Sequence, residues 1–157
     1  MAADEYFLQR AIAKAREGIR KGQTPFGACI AKGDKIVCSA HNTVWKDVDS
    51  TAHAEVNAIR KACKKLKTID LSGCVIYSTC EPCPMCFSAI HWAKIDKIVY
   101  GARIADARCA GFREMPLSNN TMKKLGKSGV KIAGGIMAKE NKALFAQWSK
   151  SKGRRAY

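Results

Sequence analysis

The chain has no apolar run near the ~18–20 residues that a bilayer-spanning helix needs. Its first residues, MAADEYFLQRAIAKAREG, lack both the basic opening and the apolar stretch of a secretory leader. A cytoplasmic protein with no membrane association is the expectation. No internal repeat, low-complexity tract or Pro/Gly/Ser linker divides the sequence, so residues 1–157 read as one domain. Acidic residues are scarce: 13 Asp and Glu stand against 28 Lys and Arg, a net charge of +15. Such an excess suits phosphate neutralisation on a nucleic acid. However, the basic residues are dispersed (Lys64, Lys65, Lys67; Lys123, Lys124, Lys127; Lys150, Lys152, Arg154, Arg155), and no aromatics interleave with the basic run at 150–155. Charge alone therefore leaves tRNA as a lesser candidate partner. Apolar residues are plentiful at 47%, enough for a buried core and too many for a disordered chain.

Eight cysteines would suggest a disulfide frame in an exported protein. Without a leader they read as thiols or metal ligands. Cys29, Cys38, Cys63 and Cys74 lie inside apolar patterns (ACIA, IVCSA, KACKKL, GCVIY) and read as small core residues.

Periodicity predicts a helix over 4–21, with Phe7, Leu8, Ile12, Ala15 and Ile19 on one side and Gly22 as its stop. Two strands follow at 27–32 and 35–41 around Gly33-Asp34, a hairpin signal. Residues 46–51 form a polar loop. A helix over 53–66 turns Val56, Ile59, Ala62, Cys63 and Leu66 inward, with Thr51 as cap. Residues 73–79 are a continuous apolar strand, 84–94 a helix and 96–102 a strand. Residues 103–120 are mostly loop, with a short helix near 118–126, a weaker strand at 130–133 and a last helix over 138–150. Strands alternating with helices give an α/β domain built on one mixed sheet.

Two short pieces carry the chemistry: His53-Ala54-Glu55, and Pro82-Cys83-Pro84-Met85-Cys86 thirty residues later. Each opens a predicted helix, where free N–H groups and the positive helix end favour anions and lower thiol pKa values. Spacing of three puts Cys83 and Cys86 on one side of the first turn. Pro84 fits that turn because its missing N–H is harmless there. One imidazole and two thiolates suit one Zn2+ and leave the fourth position open, as catalytic zinc sites do. Glu55 is then placed to carry protons. Cys80, three residues before Cys83, is either a fourth ligand or packing at the strand end. The second reading is preferred, because a closed site would leave Glu55 idle. A structural zinc module without activity is the bland alternative. His41 and His91 read as structural.

H-x-E followed by P-C-x-x-C resembles the signature of zinc nucleobase deaminases. The stretches TPFGACIAKGDKIV, HNTV, STAHAEVNAIRKAC, YSTCEPCPMCFSAIHWAKIDKIVYGA and DARCAGF resemble the cytidine deaminase-like superfamily, in the branch of bacterial guanine deaminases and tRNA adenosine deaminases. The resemblance covers nearly the whole chain. It implies a three-layer α/β fold with a central mixed five-stranded sheet and helices on both faces. It also implies a homodimer, with the C-terminal helix and tail, about 138–157, open to exchange between subunits. The activity implied is zinc-dependent deamination of a nucleobase, guanine to xanthine first, with wobble adenosine of tRNA or another amino-ring base (a cytosine-like base or a triazine) as alternatives. By the same resemblance, Phe26, Trp92, Phe112 and Tyr157 stack on or close over the base. Asn42 hydrogen-bonds it, Ala54 offers a backbone N–H, and Glu114 reads its edge where the family usually has Asp. From the residues alone, Asn42 also reads as a turn former and Trp92 as a core residue.

Overall fold

The computed structural model describes residues 2–157. Helix α1 (Ala3–Arg20) leads into the hairpin β1 (Gly27–Lys32) and β2 (Lys35–His41). The short helix α2 (Val44–Asp47) and α3 (Ala54–Leu66) precede β3 (Cys74–Cys80), α4 (Pro84–Trp92) and β4 (Lys97–Ala102). The chain then forms α5 (Ile104–Cys109), α6 (Asn119–Gly126), β5 (Lys131–Gly134) and α7 (Ala138–Ser149). The sheet order is β2-β1-β3-β4-β5. β1 pairs antiparallel with β2 and β3, while β3, β4 and β5 run parallel. Among the described residues, no helix is long and apolar enough to cross a membrane.

The period-2 alternation of a strand divides its side chains between two layers. Ala28 and Ile30 of β1, Ile76 of β3 and Ile98 of β4 face a core made with Ala54, Ala58 and Ala62 of α3 and Phe87 and Ile90 of α4. Their neighbours Cys29, Ala31, Tyr77 and Val99 face Phe7, Leu8 and Ala11 of α1. A third cluster joins Ile12, Ala15 and Ile19 of α1 to Phe112 and to Leu144 and Trp148 of α7. The result is the expected three-layer sandwich. Contact between α1 and β1 is so close that a Cβ on Gly27 would collide with the Ala11 carbonyl oxygen.

The buried stripe of α3 is narrower than its apolar period suggests. Small residues (Ala54, Ala58, Ala62) and Glu55 make the contact, while Val56 and Ile59 are half-buried and Leu66 is exposed. Alanines allow the helix to lie close on the sheet. Thr51 does not cap α3. His53 occupies the cap position with extended backbone and no side-chain cap, and the Thr51 hydroxyl donates instead to Asp49 at 2.7 Å. The two short helices α2 and α5 lie where the pattern predicts loop. Two half-buried cysteines, Cys38 and Cys63, and two buried ones, Cys29 and Cys74, occupy core positions as expected.

Candidate metal centre and active site

Three elements converge at the C-terminal end of β3. The start of α3 supplies His53 and Glu55. The turn from β3 into α4 supplies Cys83, in the cap position of α4, and Cys86 in its first turn, with Pro84 at the first helical position. His53 Nδ1 lies 3.6 Å from Cys83 Sγ and 3.5 Å from Cys86 Sγ. Zn–S bonds of ~2.3 Å and Zn–N bonds of ~2.0–2.1 Å at tetrahedral angles place N and S about 3.6 Å apart, so the observed edges are those of a zinc tetrahedron. Three such donors leave one position for water. The zinc candidate is thus His53, Cys83 and Cys86. Cys80 is not part of this group; buried at the end of β3, its thiol donates to the Arg103 carbonyl at 3.5 Å.

The electrostatics are those of a metal-binding pair of thiols. The neighbouring Cys86 thiol, against the opposing effect of burial and together with the His53 imidazole, brings Cys83 down to about 4. Cys86 is pushed up in turn by the Cys83 thiolate and by burial. Burial alone would depress His53, but the bond to Cys83 and the charge of Glu55 outweigh it and raise it.

Glu55 is 6% exposed. The Ser78 hydroxyl donates to its Oε1 at 2.9 Å, and Cys86 Sγ lies 3.5 Å from its Oε2. Burial raises its pKa, against the opposing charge of His53. A carboxyl raised in this way holds a proton more readily than an exposed one, as a proton carrier must. Glu114, half-buried, is pushed up to about 7 by burial, with the charges of Cys83 and Glu55 adding to it.

Phe26, Asn42, His53, Glu55, Cys80, Glu81, Cys83, Glu114 and Tyr157 line one cavity. Asn42 works in two directions. Its Oδ1 accepts from Val44 N at 3.0 Å, starting α2, and its Nδ2 donates to the Tyr157 hydroxyl at 2.5 Å. The tail leaves α7, reverses at Gly153 (φ +68°), and returns to its own chain's site. There the Tyr157 ring lies 5.5 Å from that of His53 and 5.5 Å from that of Phe112. Arg113 N donates to Tyr157 O at 2.9 Å. The remaining cavity is about 10 Å³, space for roughly one water molecule.

Three of the anticipated base contacts are not on the cavity wall. Phe112 is buried behind Phe26, with ring centroids 4.8 Å apart, and belongs to the aromatic cluster with Phe145 and Trp148. Ala54 has its side chain in the core, and the N–H expected of it is the first of α3, after His53 in the cap position. Trp92 is 82% exposed. It closes α4, nine residues beyond Cys83, and lines a separate groove with Phe87 and Met122. It is not a core residue either.

Two residues escape local sequence reading. Ser78 orients the Glu55 carboxylate; the signal was a small hydroxyl residue inside an otherwise apolar strand. Glu81, 7% exposed, accepts from Asn119 N at 2.9 Å and from Ile104 N at 3.3 Å, so it caps both α6 and α5. Asn119 Nδ2 in turn donates to the Pro82 carbonyl at 2.6 Å. The signal was a lone acidic residue at a strand end, with helix starts to receive it.

Residues 1–102 match the family described as "Cytidine and deoxycytidylate deaminase zinc-binding region". The chain is 50% identical over 109 residues to the guanine deaminase of Bacillus subtilis (strain 168), covering 69% of this chain and 70% of that protein. It is 45% identical over 98 residues to the tRNA-specific adenosine deaminase of Aquifex aeolicus (strain VF5), covering 62% and 65%. The solved structure of guanine deaminase from Nitrosomonas europaea superposes with a TM-score of 0.87 at 30% identity, covering 94% of this chain and 85% of that one.

Proposed function

Because the chain belongs to the cytidine and deoxycytidylate deaminase zinc-binding family, we propose that it removes the amino group of a nucleobase by hydrolysis, converting guanine and water to xanthine and ammonia. The observation that carries the reading is the buried Glu55 carboxyl beside His53, Cys83 and Cys86. Those three residues would hold the metal. Zinc, when bound there, lowers the pKa of water to near neutrality and supplies the nucleophile. Glu55 takes the proton released as water oxygen bonds to the amino-bearing carbon, and passes it to the adjacent ring nitrogen. A second proton, taken by Glu55 from the newly added hydroxyl and carried to the amine, lets the C–N bond break, so that ammonia leaves as the carbonyl forms. Ser78 keeps one carboxylate oxygen aimed during this exchange.

The preference for guanine rests on Glu114. The base presents a ring N–H and an amino group along one edge, and an ionised carboxylate is the acceptor they need. A site built to pair such groups rejects bases lacking them. Asn42 offers an amide to the opposite side, and Phe26 an aromatic face, while Phe112 acts through Phe26. The tRNA reading draws on the Aquifex relative and the net charge of +15. The tail counts against it, since an extruded base stays joined to its strand and so needs a mouth that remains open, whereas a free base needs only a passing opening.

Two further readings complete the proposal. The exposed Trp92, with Phe87 and Met122 beside it, lines a groove between α4 and α6 that suits a second copy of the chain. Tail exchange within such a dimer is not needed for closure, because the tail reaches its own site. A centre relying on free thiols suits a reducing compartment such as the cytoplasm.

The test is ammonia release by zinc-loaded protein from guanine, adenine, cytosine and a tRNA anticodon hairpin. Guanine is expected to react first, and Glu55→Gln to lose turnover while retaining one zinc per chain. Turnover of the hairpin with none of guanine would sink the guanine reading. Loss of zinc in Glu55→Gln would sink the proton-carrier role.

A further inference from the structure

The tail is held at a second point outside the cavity. The Trp45 indole N–H donates to the Arg155 carbonyl at 3.0 Å, and the Arg155 guanidinium carbon stands 4.0 Å from the Trp45 ring centroid. Trp45 belongs to α2, the same short helix that Asn42 starts through its Oδ1. One segment, 42–45, thus grips the tail twice: Asn42 takes Tyr157 within, and Trp45 takes Arg155 without. In this position the tail occupies the Asn42 amide and leaves a cavity of about 10 Å³, too small for a purine ring.

We propose that Trp45 is a positioning residue that latches the tail shut, and that this closed arrangement competes with the incoming base. The identity of that base rests on the deaminase reading above; the latch does not. A ligand that binds only the open arrangement has its apparent affinity reduced by the fraction of chains that are open. A cation–π contact and one neutral hydrogen bond together amount to about a tenfold change in such an equilibrium. Weakening the latch therefore raises the open fraction and speeds entry of the base.

The experiment uses the zinc-loaded full chain with Trp45→Ala, Trp45→Phe and Arg155→Gln. Amide hydrogen exchange is followed over 153–157 and at Arg113, whose N–H the tail covers. Guanine capture is followed by stopped-flow fluorescence in a Glu55→Gln background, which holds the base without turning it over. Trp45→Ala is expected to raise both tail exchange and the association rate about tenfold. Trp45→Phe, which keeps the ring face but loses the N–H, and Arg155→Gln, which keeps the carbonyl but loses the cation, are expected to fall between. Zinc content and melting temperature stay at wild-type values. Unchanged tail exchange in Trp45→Ala overturns the latch, and so does faster exchange with unchanged or slower association. Failure of guanine to bind the unaltered chain overturns the guanine reading instead, and the exchange data still decide the latch.

Discussion

Removing the Glu81 side chain should damage the molecule in a way that no metal-site argument foresees. Its carboxylate receives the first N–H groups of two helices, from Ile104 at 3.3 Å and Asn119 at 2.9 Å. In Glu81→Ala both donors are left buried and unpaired. Each such donor costs about 1–3 kcal/mol, so the pair amounts to about 4 kcal/mol, with Asn119 the larger share because its bond is shorter. For a chain of this size about 1 kcal/mol corresponds to roughly 2–4 °C in melting temperature, which gives a fall of about 8–16 °C. Glu81→Gln retains a carbonyl acceptor and loses the charge, so its loss should be nearer 1–2 kcal/mol. The assay is thermal unfolding of the zinc-loaded protein, with amide exchange read at Ile104 and Asn119. Zinc binding should persist in both variants, because His53, Cys83 and Cys86 are intact. A Glu81→Ala melting point within about 2 °C of wild type, on the same scale of degrees per kcal/mol, would refute the reasoning. So would an unchanged exchange rate at Asn119.

Other consequences can be measured with the same protein. Ser78→Ala removes the donor to Glu55 Oε1; a hydrogen bond to a charged group contributes about 1.5–3 kcal/mol, so kcat should fall by at least tenfold with KM and zinc content little changed. Glu114 must be ionised to accept from guanine, and its pKa stands at about 7. A zinc dication nearby lowers it further, so kcat/KM for guanine should rise with pH through a limb at or below about 7, and Glu114→Gln should abolish that limb. Gly27→Ala puts a methyl group against backbone atoms of Ala11 and Ala15; overpacking of this kind costs about 3 kcal/mol, visible as a melting point lower by about 6–12 °C.

The main elements were legible because their signals are local. The apolar period of α1, the turn between β1 and β2 and the run of β3 each specify their element within a dozen residues. The zinc ligands were legible because His53-x-Glu55 and Cys83-x-x-Cys86 bring their geometry with them on helix starts. Helix α5 was not, because its N–H groups are received by Glu81 from 23 residues away and by Asp106 reaching back to Arg103. Such a cap exists only in the folded chain. Helix α2 hides for a related reason: a four-residue helix has almost no period, and Asn42, whose Oδ1 receives its first N–H, is shared with the tail. Trp92 shows a different gap between motif and place within one chain. Its place in a motif suggested proximity to the base, but the rise of α4 carries it to the opposite end. For Trp45, sequence pattern gave no hint, since its partner lies 110 residues along the chain.

The aromatic packing of Phe26 on Phe112 and Phe145, with Trp148 against Phe112, has an evolutionary reading. The residues proposed for the bond-breaking all lie before residue 102, where the family match also ends. Glu114 and Tyr157, which line the cavity, come from the chain after that point and are seated by this greasy joint, by the helix starts that Glu81 receives, and by the tail's bonds to Asn42 and Trp45. A lineage could therefore exchange the segment beyond β4 for another, provided the joint still fits, and acquire a new substrate without touching the proton chemistry. A chimaera carrying residues 103–157 from a relative of different specificity would be the laboratory version of that step.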